Sequence, residues 1–184
     1  MGYNAGRGFI SSPFIMHEGE RMIKFYDVDK NYINFLRRID RQIPDLEYDS
    51  HDKFVCGIVL NIGEVNYYAP ISHFNIPQKT NFPIYDKGRV ISTVRFCFMF
   101  PADSIVLSEK NFNKIAQIDQ NYANLLNTEY EYCKNNLNEL LKRANSVYKI
   151  GCNKNHFLNY TCCDFKKLEN EYIKYDRTKT YPKA

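Results

Sequence analysis

Residues 54–72, FVCGIVLNIGEVNYYAPIS, decide the fold. The two apolar runs, Phe54–Ile62 and Val65–Ala69, are rich in β-branched and aromatic residues and meet at Gly63-Glu64. That pattern predicts two antiparallel strands joined by a tight turn. On the N-terminal side, Ile23–Val28 alternates like a short strand, and Asp29 is placed to cap a helix. The stripe Tyr32, Phe35, Leu36, Ile39 and Ile43 continues that helix up to Pro44. On the C-terminal side, a loop holding Pro77 and Pro83 leads to Arg89–Phe100, a β-rich run that Pro101 ends. Apolar residues from Tyr122 to Val147 then recur every three or four positions, which predicts one long amphipathic helix. Asp164 is expected to cap a last helix bearing Phe165, Leu168, Tyr172 and Tyr175. Strands with attached helices predict an α+β fold, a small antiparallel barrel or curved sheet flanked by helices.

The chain has 184 residues, 44% hydrophobic and 25% charged, as expected of one globular domain with a real core. Residues 1–21, with Gly2, Gly6 and Gly8, read as a peripheral N-terminal extension or tag ahead of Met22. The domain is expected over 22–176 and a tail over 177–184. No apolar run reaches the roughly 20 residues that span a bilayer, and the opening segment is broken by Ser11, Ser12 and Pro13. A cytoplasmic protein is expected. None of the six cysteines shows C-x-x-C spacing, and the vicinal Cys162-Cys163 pair suits neither an ordinary disulfide nor a zinc clamp, so no metal and no cofactor is expected. The net charge of +4 does not announce nucleic acid by itself. Fifteen tyrosines and thirteen phenylalanines among scattered Lys and Arg suit stacking on unpaired bases, though count alone favours a ring-filled core.

Four stretches carry a family resemblance. Lys24-Phe25-Tyr26-Asp27-Val28 followed by Tyr32-Ile33-Asn34-Phe35-Leu36 is similar to the opening of the ToxN/AbiQ (CptN-like) ribonucleases of type III toxin–antitoxin systems. Gly57-Ile58-Val59-Leu60 running into Tyr68-Ala69-Pro70-Ile71-Ser72, then Tyr122-Ala123-Asn124-Leu125-Leu126, keep the same order and spacing. The tail Cys162-Cys163-Asp164-Phe165-Lys166-Lys167-Leu168-Glu169 resembles the family's C-terminal signature. The resemblance implies a compact SH3-like barrel related in shape to the MazF and Kid toxins. It implies metal-independent RNA cleavage through the 2′-hydroxyl, leaving a 2′,3′-cyclic phosphate and a 5′-hydroxyl. It also implies phage defence and a pseudoknot RNA antitoxin that assembles with the toxin into a closed hetero-oligomer.

Position by position, the resemblance places catalytic roles on Tyr32, Lys53, Ser72 and Tyr130. This chain has His73 where many relatives have a second serine, and Asn75 where they have a nearby lysine; Lys79 lies in the same loop and could substitute. RNA cleavage by the 2′-hydroxyl needs a base, an acid and stabilisation of phosphorane charge. Histidine suits the first two tasks, while lysine and hydroxyl donors suit the third. His73 is therefore the expected acid or base. Tyr32 and Tyr130 lie on apolar helical stripes, where periodicity alone reads core, yet a tyrosine can bury its ring and still aim its hydroxyl at a cleft. His51 could touch RNA, and His156 reads as structural or RNA-contacting. Arg37, Arg38, Arg41, Lys134, Lys142, Arg143, Lys166 and Lys167 are expected to face the antitoxin phosphates, although each alone also fits a solvated helix face. A non-catalytic RNA-binding module on the same barrel is the rival reading.

Overall fold

Gly63, at φ +60°, makes the turn that the sequence demands, and a two-strand ladder runs away from it. A computed structural model describes residues 22–47 and 52–183. The elements are β1 (Lys24–Val28), α1 (Lys30–Ile39), β2 (Val55–Ile62), β3 (Val65–Ser72), β4 (Phe82–Asp86), β5 (Arg89–Val94), β6 (Phe100–Pro101) and β7 (Leu107–Glu109). The helices α2 (Phe112–Ile118), α3 (Gln120–Asn135), α4 (Leu137–Cys152) and α5 (Phe165–Glu171) follow. The proposed extension, His51 and the last residue lie outside the described residues.

The strands form one mixed-length antiparallel sheet in the order β4-β5-β3-β2-β1-β7, with β6 also pairing with β3. Helices α3 and α4 pack on β4 and β2 respectively, and α5 packs against α1, α4 and β6. The fold is therefore α+β, as expected. Leu36, Val55, Cys56, Tyr67, Ala69, Phe96, Phe100, Leu126, Leu140 and Phe165 are almost fully enclosed between the layers. Burying that set supplies the driving force, at about 25 cal/mol per Å² of apolar surface.

Five expectations are corrected. Helix α1 stops at Ile39 instead of reaching Ile43, because Asp40 is extended and its carboxylate is used elsewhere: Oδ1 accepts from Gln42 N at 2.8 Å and Oδ2 from Asp164 N at 2.7 Å. Ile43 is still buried, held by a turn rather than a helix. The run Arg89–Phe100 is a strand only to Val94; a 3-10 turn over Phe96–Phe98 follows, in which Cys97 N donates to Thr80 O and Cys97 O accepts from Cys163 N. The Pro77–Pro83 loop contains the start of β4, which then turns at Lys87 (φ 47°) and Gly88 (φ 78°) into β5. The single long helix is two, divided at Asn136 (φ −114°, ψ 24°), whose amide side chain donates to Tyr132 O at 2.8 Å and ends α3. Strand β3 also runs three residues beyond Ala69, to Ser72.

The cysteines carry no disulfide, and five of the six are buried. Burial pushes the Cys162 thiol up to about 11 and those of Cys56 and Cys163 well above the ordinary range, so they act as small apolar fillers. Among the described residues no helix is long and apolar enough to cross a membrane.

Candidate functional site at the open end of the hairpin

Strand register builds the site. Val55 pairs with Pro70, and Ile71 N donates to Phe54 O at 3.0 Å, so one further step sets Lys53 across from Ser72. Ser72 in turn pairs with Thr93 on β5. Directly opposed residues share a face of a sheet, so Lys53, Ser72 and Thr93 form a row across three strands, with Arg95 two residues beyond Thr93 on the same face. Arg95 N donates to Pro70 O at 2.8 Å, which fixes that register.

The connection that carries His73 crosses this face. β3 and β4 both run antiparallel to β5, so they are parallel to each other and the 73–81 segment must pass over β5. Phe74 lies on the Arg95 guanidinium at 4.4 Å, and Phe98 backs it at 4.9 Å. The segment is tied down by the fully buried Asn81, whose Oδ1 accepts from Gln78 N at 2.9 Å and whose Nδ2 donates to Ile76 O at 3.0 Å. His73, Asn75 and Lys79 stand exposed along it.

The charges around the row are mixed, because the cavity beside Lys53 is lined by Asp27, Asp45, Glu47 and Asp52 as well as Lys30. Lys53 Nζ donates to Asp45 O at 3.2 Å and borders a cavity of about 170 Å³ with Asp27, Lys30 and Asp52. Burial, aided by the Arg95 charge and opposed by Asp45, holds the Lys53 ammonium below the ordinary lysine range. Ser72 Oγ, Thr93 Oγ1 and Arg95 Nε are buried without a hydrogen-bond partner among the described residues. Each such group costs about 1–3 kcal/mol if left unpaired, so this cluster of donors is suited to accept oxygen ligands. Thr93 and Arg95 are members that sequence reasoning missed. They sit inside the run Arg89–Phe100, and only the pairing of β5 with β3 reveals that they share a face with Ser72.

The other expected site residues are placed as follows. Tyr32 is buried, donates its hydroxyl to Pro101 O at 2.6 Å, and burial pushes its phenol well above the ordinary tyrosine range. Pro101 pairs with Tyr67, five residues back from Ser72 and roughly 16 Å away along β3. The structure does not bring Tyr32 to Lys53. Tyr130 packs edge-on against Phe25 and Phe112 at 5.7 and 5.8 Å and borders a different cavity, with Lys24 and Lys110. Phe25 in turn touches Phe54 at 4.8 Å, so two rings separate Tyr130 from Lys53.

The basic residues fall on separate faces. Arg41, Lys166 and Lys167 border one groove of about 350 Å³, joined there by Lys154 and Tyr160. Arg37 lies by Asp45 at 4.0 Å, and Arg38 covers the Tyr181 ring at 5.6 Å. Lys134 pairs with Glu131 and Arg143 with Glu139, while Lys142 borders a cavity against β2. Among the described residues no group of three or more His, Cys, Asp or Glu is arranged to hold a metal ion.

The sequence profile of the family described as Toxin ToxN, type III toxin–antitoxin system, matches residues 24–173. The chain is 26% identical over 174 residues to Endoribonuclease ToxN of Bacillus thuringiensis subsp. kurstaki, covering 88% of this chain and 90% of that protein. It is 22% identical over 164 residues to Endoribonuclease ToxN of Pectobacterium atrosepticum, covering 82% and 92%. Among solved structures, a type III toxin selectively inhibited by a non-coding RNA pseudoknot superposes with a TM-score of 0.78 at 24% identity, over 84% of this chain and 98% of that one. AbiQ, a lactococcal anti-phage endoribonuclease of a type III system, superposes at 0.71 with 18% identity, over 84% and 98%.

Proposed function

Because this chain belongs to the ToxN family of type III toxin–antitoxin toxins, we propose that it is an endoribonuclease whose active site is Lys53 and Ser72 of the cross-strand row together with His73, the next residue in the chain, at the open end of the β2–β3 hairpin. The observation that carries the reading is the register that sets Lys53 opposite Ser72, with His73 next in the chain and exposed to substrate. In this mechanism the 2′-hydroxyl of one nucleotide attacks its own 3′-phosphate. His73 takes or returns a proton, since imidazole is suited to both near neutral pH. Lys53 and the Ser72 hydroxyl stabilise charge on the nonbridging oxygens. An ammonium held below its ordinary range is also a better proton donor to the leaving 5′-oxygen. Products are a 2′,3′-cyclic phosphate and a 5′-hydroxyl, and no step needs a metal. Tyr32 and Tyr130 belong to this proposal as residues that act through the scaffold on which the row is mounted.

The relatives supply the partner. One is inhibited by an RNA pseudoknot and another acts against phage, and the same is proposed here: a pseudoknot RNA antitoxin in a closed assembly, cytoplasmic RNA as substrate, and a role in phage defence. The groove of Arg41, Lys166 and Lys167 is the proposed contact for antitoxin phosphates, since cations there release counterions on binding. Residues 22–176 are read as one catalytic domain. The SH3-like description of its sheet belongs to the same proposal, supported by β3 pairing with β2 along one edge and with both β5 and β6 along the other.

The test is incubation of the purified protein with a transcript in excess EDTA, followed by end analysis. Cyclic-phosphate ends, reduced at least 100-fold in His73→Ala and in Lys53→Met while thermal stability is kept, are expected. Unchanged cleavage in both variants removes the assigned site. Salt-sensitive RNA binding without any cleavage makes the protein a binding module instead.

A further inference from the structure

A second feature lies beside the His73 segment. Between α4 and α5 the chain makes a tight, well-bonded loop. His156 N donates to Asn153 O at 2.9 Å, Leu158 N to His156 Nδ1 at 3.1 Å, Asn159 N to His156 O at 2.8 Å, and Asn159 Nδ2 to Gly151 O at 2.6 Å. A loop so constrained has little left to lose in entropy when a ligand arrives. It nevertheless leaves two large rings in solvent, Phe157 at 68% and Tyr160 at 77% exposure.

Those rings are placed, not loose. His156 stacks on Phe157 with centroids 4.9 Å apart and planes 21° off parallel, and Lys79 Nζ lies 5.7 Å from the same ring. Lys79 belongs to the segment that begins at His73, six residues earlier, so at most about 20 Å of backbone separates Lys79 from the residue that carries the proposed catalytic imidazole. On the other side Tyr160 borders the groove that holds Arg41, Lys154, Lys166 and Lys167. Two solvent-exposed rings thus lie between the cationic groove, which Tyr160 borders, and the His73 segment, whose Lys79 reaches Phe157.

We propose that Phe157 and Tyr160 form a two-ring stacking platform that receives bases of the single-stranded substrate RNA entering the His73 segment. The proposal rests on the nuclease reading above and adds to it the element that holds the flanking nucleotides. Stacking is tolerant of base identity, because every base has a π-face, while Lys79 and Lys154 neutralise the adjoining phosphates. A duplex keeps its bases stacked on each other and gains nothing here, so the platform selects for unpaired RNA.

The test uses the full chain and a fluorescent 12-nucleotide RNA with every 2′-oxygen methylated, which binds but cannot be cut. Phe157→Ala and Tyr160→Ala should each weaken binding roughly tenfold with the salt dependence unchanged. Phe157→Trp should restore it, and Lys154→Gln should instead lower the slope of log affinity on log salt by about 0.7. The same RNA annealed to its complement should not distinguish wild type from Phe157→Ala. Wild-type affinity in both alanine variants overturns the proposal. So does a loss confined to folded pseudoknot RNA, which would give the rings to the antitoxin. Since this probe cannot be cleaved, its result stands apart from the cleavage assay, whose failure alone would count against the nuclease reading.

Discussion

Glu129, on α3, is 1% exposed, and burial pushes its carboxyl up to about 7, with Ser92 drawing it only partway back. The folded pKa lies above the ordinary 4.5, so between pH 4.5 and 7 the unfolded chain has lost its proton while the folded one keeps it. Folding stability therefore falls as pH rises through that window and stays low above it, by about 3 kcal/mol at most. Glu129→Gln removes the group's titration, and its stability relative to wild type should climb from pH 4.5 to 7 in urea unfolding. A flat difference between the two proteins across that range would show that Glu129 ionises freely. Tyr32 gives a second prediction at this scale. Its hydroxyl is committed to Pro101 O, so Tyr32→Phe should cost about 1 kcal/mol through the unpaired carbonyl and leave turnover within about twofold. A loss of turnover beyond tenfold at preserved stability would move Tyr32 from scaffold to chemistry.

Secondary elements show why some of this was legible in sequence and some was not. The caps were, because their logic is local: Asp29 accepts from Asn31 N at 2.8 Å and Asp164 from Lys167 N at 3.0 Å, both within one turn. The pairing of Lys53 with Ser72 was hidden, because the turn sets Ile62 on Val65 and that register alone would carry Lys53 to Phe74; only the register shift between Gly57 and Leu60 moves it to Ser72. Arg95 was hidden because its neighbours Phe74, Phe98 and Ser72 come together through strand order, which no local pattern states. The break at Asn136 was hidden for another reason: the apolar spacing continues through it, and only a side-chain amide turned back on Tyr132 O ends α3. Gly151, in the last turn of α4, sets local preference against packing directly. Alanine is the better helix former by about 1 kcal/mol. Its Cβ would collide with the Phe165 ring and stand 3.2 Å from Cys162 Cβ. Overpacking at about 1–3 kcal/mol wins, so Gly151→Ala should lower the melting temperature by several degrees. A rise in melting temperature would mean that α5 can move off α4.

At the scale of the whole molecule, one carboxylate joins the sheet to the C-terminal helices. Glu169 Oε1 accepts from Tyr67 Oη at 2.9 Å and from Tyr148 Oη at 2.6 Å, while Oε2 accepts from Lys166 Nζ at 2.8 Å. Tyr67 is on β3, Tyr148 on α4 and Glu169 on α5, so three elements distant in sequence share one acceptor. Burial alone would raise this carboxyl, but the donors from Lys166, Tyr148 and Tyr67 outweigh it and hold it below the ordinary range. A depressed carboxylate contributes stability that is present above its unfolded pKa and is lost as pH falls through the folded one. Glu169→Ala strands the fully buried Tyr67 hydroxyl, with only the longer contact to Phe165 O at 3.3 Å remaining. The expected cost is about 3 kcal/mol, or roughly 6–12 °C in melting temperature at pH 7. Glu169→Gln keeps a neutral acceptor for the tyrosines and should lose about half as much. β3 carries Tyr67 near one end and Ser72 at the other, so the substitution also tests whether the site depends on the rest of the molecule. If the strand is held independently by β2 and β5, cleavage below the melting transition should stay within about twofold of wild type. A large loss of turnover at a temperature where Glu169→Ala is still folded would mean that the C-terminal helices set the position of the catalytic row.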